Sequence, residues 1–480
     1  MIKPINNTIK TSTVLNTKKS LGIYLILGIM VCIFAFIIEK NVSLPQVIIR
    51  PIGIISLTAL LVLAFFKPNI PFLILVAYAP FARMLVGDFE TSAKALNLTN
   101  ILIFLAIIGC IAKSVSTRNK IFTKSSLNLF IFLFIFWGIL SLIRSSLSYG
   151  SIYLEHYIIG LKRWLTPVIL YFITVSFIHD RDTSKKVVIT MMIVTVIIGA
   201  MAAKDYLNVS NRSLEESRVG GVFEQSNTLG GFFVYNMFLF LAFFFVYFPN
   251  FRYFLLLVPF LICFRGIQVT FSRGAYLGCF FGGVATTFFK SKILFTVTLV
   301  FLIFAILNPV FLPAGIRNRL SSTYYDNEKV ITTDIEDIKD NSALARITVW
   351  KGSIEMIKDH PFFGVGYGLF GYLIPFYAPT TLIDAHNTYL ILAAEMGIPA
   401  LIIFLIILFI MIKNSFWLYR KSKDKFVRAF ALGMLGGLFG LLMVNMFGSR
   451  LNSEEVSAYF WIYAGLIMAI VNMKKRKIIT

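Results

Sequence analysis

The chain has 480 residues, of which 58% are hydrophobic and only 14% charged, and its mean hydropathy is +0.81. A soluble domain is closer to 45–50% apolar and about 25% charged, so soluble, disordered, collagen-like and disulfide-stapled classes are excluded. Lys+Arg 45 against Asp+Glu 23 gives a formal +22, but most of these cations fall between apolar runs, which points to membrane topology and not to nucleic acid.

About fourteen apolar runs follow one another, near 21–38, 47–66, 70–86, 98–113, 126–143, 159–178, 187–203, 228–248, 252–268, 274–289, 292–312, 387–412, 429–448 and 456–473. Each is too long for a typical strand and none alternates like a barrel strand. In lipid the backbone must satisfy itself, so the runs are read as helices. The first run follows Lys18-Lys19 without a small-residue cleavage site, which reads as a retained span. Cys32, Cys110, Cys263 and Cys279 lie inside apolar runs without metal-ligand spacing and read as small hydrophobes. Gly433, Gly436, Gly437 and Gly440 in the penultimate run read as a close helix-packing face.

The basic residues set an orientation. With Lys3, Lys10, Lys18 and Lys19 cytoplasmic, every second loop should be basic, and Lys113, Arg118, Lys120 and Lys124, then Arg181, Lys185 and Lys186, then Lys290 and Lys292 comply. So do Lys413, Arg420, Lys421, Lys423, Lys425 and Arg428, and the closing Lys474-Lys475-Arg476-Lys477. Both termini are thereby expected inside, with long external segments near 204–227 and 313–385. Loops of such length in a compact architecture are usually functional. Neither a Walker A motif nor a dinucleotide fingerprint is present, since Gly364-Val365-Gly366-Tyr367-Gly368 has neither the strand nor the spacing.

Only four histidines occur: His156, His179, His360 and His386. His386 opens His386-Asn387-Thr388-Tyr389-Leu390, where the long external loop enters the next span. A half-shielded His at the outer surface suits a base with a near-neutral pKa, although that position equally allows a His that satisfies a carbonyl. Arg218, Arg273 and Arg346 all fall on the external side, against the positive-inside bias. Guanidinium forks bind phosphate oxygens bidentately, so these arginines could clamp a lipid diphosphate. The plainer alternative pairs them with lipid headgroups or with Glu215 and Glu216. Ile347, Trp350, Ile354 and Ile357 recur at helical spacing, predicting an amphipathic helix on the outer surface that ends at His360-Pro361. The glycines and aromatics of 362–372 suit either a sugar- or lipid-facing turn or a membrane-anchored loop. Asp334, Glu336, Asp337 and Asp340 read as a solvated face.

Arg346…Trp350, His360-Pro361-Phe362-Phe363-Gly364-Val365-Gly366 and His386-Asn387 followed by Gly397 resemble the O-antigen ligase/polymerase family. The last of these looks like that family's H-N-x9-G-x-x-G pattern with Ala400 in place of the final Gly. Arg218-to-Asn227 and Ser272-Arg273-Gly274-Ala275 resemble its two upstream arginine motifs, so the motif-bearing region spans roughly 215–412, between N-terminal helices (1–214) and C-terminal helices (413–480). The resemblance implies an all-α polytopic membrane protein of about 12–14 transmembrane helices. Its long external loop, 313–386, would bear an amphipathic helix within a GT-C-like glycosyltransferase architecture. It further implies a metal-independent, inverting glycosyl transfer at the outer face of the bacterial cytoplasmic membrane, without a cofactor. The donor would be a glycan on undecaprenyl diphosphate and the acceptor a saccharide, with other polysaccharide-assembly membrane proteins as further partners and no nucleic acid. By carry-over His386 would be the base, while Arg218, Arg273 and Arg346 would hold the diphosphate.

Ile- and Lys-rich, Arg-poor usage suggests an AT-rich genome, as of a Gram-positive organism lacking lipid A, and tilts the reading toward a polymerase over a ligase. A transporter or flippase of lipid-linked oligosaccharides is the rival from another class. It predicts ionisable groups near the midplane of several spans and helices broken there, whereas the charges collect at the outer end of mostly clean runs.

Overall fold

The computed structural model describes residues 58–85, 98–117, 120–209, 217–308, 342–380 and 383–479. The first apolar run with Cys32, the acidic face at 334–340, Glu215 and Glu216 lie outside these residues. Among the described residues helices are the only regular secondary structure, and no strand occurs. In order they form α1 (Asn69–Tyr78), α2 (Leu98–Thr117), α3 (Asn128–Tyr149), α4 (Ser151–Phe177), α5 (Arg181–Val209), α6 (Ser226–Tyr247) and α7 (Leu257–Val269). There follow α8 (Arg273–Lys290), α9 (Lys292–Leu307), α10 (Ser342–Asp359), α11 (Thr388–Lys421), α12 (Lys425–Met446) and α13 (Glu454–Lys475). Eight stretches among them are long and apolar enough to cross a membrane, and α9 is a shorter apolar helix. The chain is an all-α polytopic membrane protein.

Several helices overrun the apolar runs that predict them. α4 begins at Ser151, α5 at Arg181, and α11 continues to Lys421. A helix propagates through polar residues as long as its backbone bonds are made, so hydropathy marks where lipid is and not where the helix stops. The runs at 252–268 and 274–289 are separate helices, α7 and α8, divided by a turn in which Phe271 has φ +48°.

α6, α12 and α13 form the centre of the bundle: 78%, 78% and 94% of their apolar windows are buried. α12 lies against α6 and α8 through its glycines, as its spacing predicts. A Cβ on Gly437 would stand 2.4 Å from the Tyr235 carbonyl oxygen, and one on Gly440 2.9 Å from that of Gly278. Small residues allow such backbone approach where lipid provides no hydrophobic drive for association. Asn236 on α6 donates to Phe232 O at 2.8 Å and accepts from Tyr463 Oη on α13 at 2.7 Å, so the buried amide is satisfied.

The two ends of the bundle differ. One carries Lys113 with Asp180 at 3.5 Å, Arg181 paired with Asp424, and Lys290 donating to Phe245 O. The Arg181 guanidinium and two backbone amides hold the Asp424 carboxyl below its usual range despite burial. The other end carries Arg83 paired with Glu224 at 2.9 Å and, deeper, the His386 region.

The glycine face has a measurable consequence. Gly437→Ala should lower the melting temperature of the detergent-solubilised protein, because overpacking against fixed backbone costs about 1–3 kcal/mol. Gly283→Ala on α8, whose Cβ would come no nearer than 3.9 Å to Phe238, should leave it unchanged or raised.

Candidate functional site

The site begins with a break in a helix. Gly397 sits inside α11 at φ +86°, ψ 169°, two residues before Pro399. The left-handed φ needs glycine, and a Cβ there would lie 2.2 Å from Phe362 O. Proline removes a further helical donor. Freed backbone groups find partners: Ile398 N–H donates to Pro361 O at 2.8 Å, Val365 N–H to Ala394 O at 2.8 Å, and Gly366 N–H to Glu395 O at 3.1 Å. From α3, Trp137 Nε1 donates to Met396 O at 2.9 Å and Ser141 Oγ to Glu395 O at 2.8 Å. The Gly364–Gly368 turn is therefore backbone packed on a broken helix. Its positive-φ glycines let it approach α11.

Upstream of the break, Asn387 caps α11, its Oδ1 accepting from Tyr389 N at 3.0 Å and Leu390 N at 3.1 Å. The residue before it, His386, has φ +49°, an uncommon conformation for a non-glycine residue. Asp384 stabilises that turn: its Oδ1 accepts the His386 N–H at 2.8 Å and the Ser449 hydroxyl at 2.8 Å, and its Oδ2 stands 3.6 Å from His386 Nδ1. His386 Nδ1 is buried and makes no hydrogen bond. Thr388 Oγ1 donates to Asn445 Oδ1 at 2.6 Å, and Leu451 N–H donates to the same amide oxygen at 3.3 Å. The turn between α12 and α13 is thus sewn to the start of α11.

α10 enters from the other side. Trp350 Nε1 donates to Ala385 O at 2.8 Å, and its ring lies 6.0 Å from that of Phe447. Arg346, one helical turn earlier, lies close enough to bear on the charge of both His386 and Arg450. The helix is where the spacing places it, but its buried face is different. Val349, Gly352, Ser353 and Met356 are buried, whereas Ile347 and Ile354 are exposed. A Cβ on Gly352 would stand 2.7 Å from that of Ala378, so the small residues define the packed face and the apolar periodicity does not.

Arg218 joins the two upstream arginine motifs. Its Nε donates to Thr270 O at 3.2 Å and its Nη2 to Asn227 Oδ1 at 3.0 Å, while Val219 N–H donates to Val269 O at 3.1 Å. Arg273 occupies the first turn of α8, which Ser272 caps by accepting from Ala275 N at 3.4 Å. Its neighbour Gly274 faces Phe447: a Cβ on Gly274 would stand 3.2 Å from that of Phe447. Arg346 and Arg450 bear on His386, and Arg346 and Arg218 bear on Arg450, so Arg450 links Arg218 to the His386 region.

Three residues here were not among the sequence candidates: Asp384, Ser449 and Arg450. Arg450 satisfies the criterion that selects the other arginines, a cation between two apolar runs on the side that the basic loops predict to be external. Asp384 and Ser449 carry no such signal, because only the fold brings residues 65 apart into hydrogen-bond contact. Burial holds the His386 imidazole below its ordinary value near 6.5, with Asp384 opposing and Arg346 and Arg450 reinforcing. The imidazole is therefore neutral, and able to accept a proton, at neutral pH.

Residues 258–405 match the family model of the O-antigen ligase. That region, about a third of the chain, is what is similar to the O-antigen ligase family; it holds Arg273, Arg346 and His386, while Arg218 and Arg450 lie outside it. With eight long apolar helices among the described residues, the chain is a multi-pass membrane protein that carries an O-antigen-ligase-like region. No curated protein matches the chain at a significant level.

The charge environment sets a titration. His386 should lose reactivity toward diethyl pyrocarbonate with a midpoint below pH 6.5. Asp384→Asn, which removes the anion that favours the charged form, should lower that midpoint, and Arg346→Gln should raise it. A midpoint that stays put in both variants would contradict the arrangement.

Proposed function

We propose that the chain transfers a glycan from undecaprenyl diphosphate to a saccharide hydroxyl, at the outer face of the bacterial cytoplasmic membrane, in cell-surface polysaccharide synthesis. The observation that carries this reading is a neutral His386, presented by a strained turn, beside Arg346 and Arg450, with Arg218 next to Arg450, at one end of an apolar bundle. In the transfer, the acceptor oxygen attacks the anomeric carbon of the donor sugar from the side opposite the diphosphate. The bond from that carbon to the phosphate oxygen breaks, the configuration inverts, and His386 takes the hydroxyl proton. The leaving group departs as polyprenyl diphosphate, whose added charge Arg218, Arg273 and Arg346 stabilise. It is already an activated ester, so the reaction asks for neither nucleotide nor metal from the protein.

Polymerisation, in which the acceptor is another lipid-linked glycan, is favoured over ligation by the Ile- and Lys-rich, Arg-poor composition. The transport alternative draws on the break in α11 at Gly397. That break is closed by the 361–366 backbone and by α3, whereas a transporter's broken helices line a cavity with their freed groups.

Purified protein given one lipid-diphosphate-linked repeat unit, without a separate acceptor, should form a product ladder. His386→Ala should reduce turnover by about 100-fold or more while membrane insertion is retained; wild-type-like turnover in that variant would remove His386 from the mechanism. A product that forms only when a second glycan is supplied would identify a ligase. Arg218→Ala should raise KM for the donor more than Arg218→Lys does, because lysine keeps the charge but not the fork.

A further inference from the structure

We infer that Arg450, in the turn between α12 and α13, is a further donor-binding residue that presents a buried guanidinium to the same diphosphate as Arg218 and Arg346. The inference rests on the proposed lipid-diphosphate donor and deepens it. Arg450 is only 7% exposed. Among the described residues its guanidinium has no hydrogen-bond or ion-pair partner. The acid that acts on it, Asp384, already accepts from Ser449 and from the His386 amide. The other charges that bear on it, Arg346 and Arg218, repel it. Arg83 at the same end is the contrast: it is half-exposed and paired with Glu224 at 2.9 Å.

A buried cation facing two others is unfavourable unless an anion joins them. Two glycines make room for the Arg450 side chain itself. Gly448 has no side chain where the guanidinium folds back, since a Cβ there would meet Arg450 Nη2 at 2.1 Å, and Gly231 on α6 leaves room for its Cγ at 3.3 Å. Ser449, the adjacent residue, holds Asp384 at the His386 turn, so one turn supplies both a cation and the tether of the proposed base. A diphosphate has enough oxygens for three guanidinium forks, whereas a single surface ion pair would not require such burial.

The test uses the full chain in phosphatidylcholine nanodiscs, titrated with undecaprenyl diphosphate that carries no glycan, with binding followed by tryptophan fluorescence and by ligand-induced thermal shift. Wild type should bind, and R450M should bind roughly 10- to 100-fold more weakly, the loss expected for a charged hydrogen bond. R450K should recover part of the affinity. G448A, which keeps the guanidinium but displaces it, should also weaken binding.

Unliganded R450M should melt no lower than wild type, because an apolar side chain relieves an uncompensated buried charge. An R450M protein that binds as wild type does, while Arg218→Ala does not, would overturn the role of Arg450 alone. An R450M protein that fails to fold, or melts well below wild type, would make Arg450 structural and overturn it too. Equal dependence on Arg450 for phosphatidylglycerol and for undecaprenyl diphosphate would reassign the group to a lipid headgroup and overturn the donor role. Failure of wild type to bind undecaprenyl diphosphate at all would remove the donor reading and this inference together.

Discussion

A helix broken inside an apolar bundle must have its freed backbone groups satisfied by protein, because lipid offers none. The break at Gly397 in α11 is such a place, and much of the candidate site follows from it. Ile398 N–H, Ala394 O and Glu395 O are taken up by the 361–366 turn, and Met396 O and Glu395 O by Trp137 and Ser141 of α3. Those bonds hold the segment after α10 against α11. They thereby place α10 where Trp350 reaches Ala385 O, so the turn bearing His386 is braced from two directions.

The second constraint is electrostatic. At the opposite end of the bundle, cations meet acids or carbonyls: Lys113 has Asp180, Arg181 has Asp424, and Lys290 has Phe245 O. Around His386 the balance is different. Asp384 is shared among Ser449, the His386 amide and the imidazole, while Arg218 and Arg346 both act on Arg450. A half-buried cluster with more positive than negative charge is organised for an anion. Burial, reinforced by Arg346 and Arg450, holds the neighbouring imidazole below its ordinary value.

The fold and the site were legible in the sequence to different depths. Long apolar runs separated by basic loops specify helices and their alternation, and the runs from 98 to 473 correspond to described helices. The close-packing glycines of α12 were legible because only a backbone approach explains four small residues on one helix of an apolar chain. Hydropathy was weaker at helix ends, as in α4, α5 and α11, because hydrogen bonding continues past the lipid boundary. It was misleading for α10, where Gly352 and Ser353 define the buried face while Ile347 and Ile354 are exposed. The packing of 362–372 on α11 was not legible, because composition cannot distinguish glycines that approach a ligand from glycines that approach a helix.

What the sequence by itself determined is the class of the protein, the positions of its spans and the residue types available for chemistry at one side: His386 and the arginines at 218, 273 and 346. Hydrophobicity and chain-local motifs carry that information, and both act over short distances along the chain. Tertiary structure alone decided that Arg218 bridges Asn227 and Thr270, that Asp384 and Ser449 brace His386, and that Arg450 is buried among the same charges. Those relations join segments tens to hundreds of residues apart, and only the packing of α6, α11, α12 and α13 brings them within the reach of a hydrogen bond or a charge.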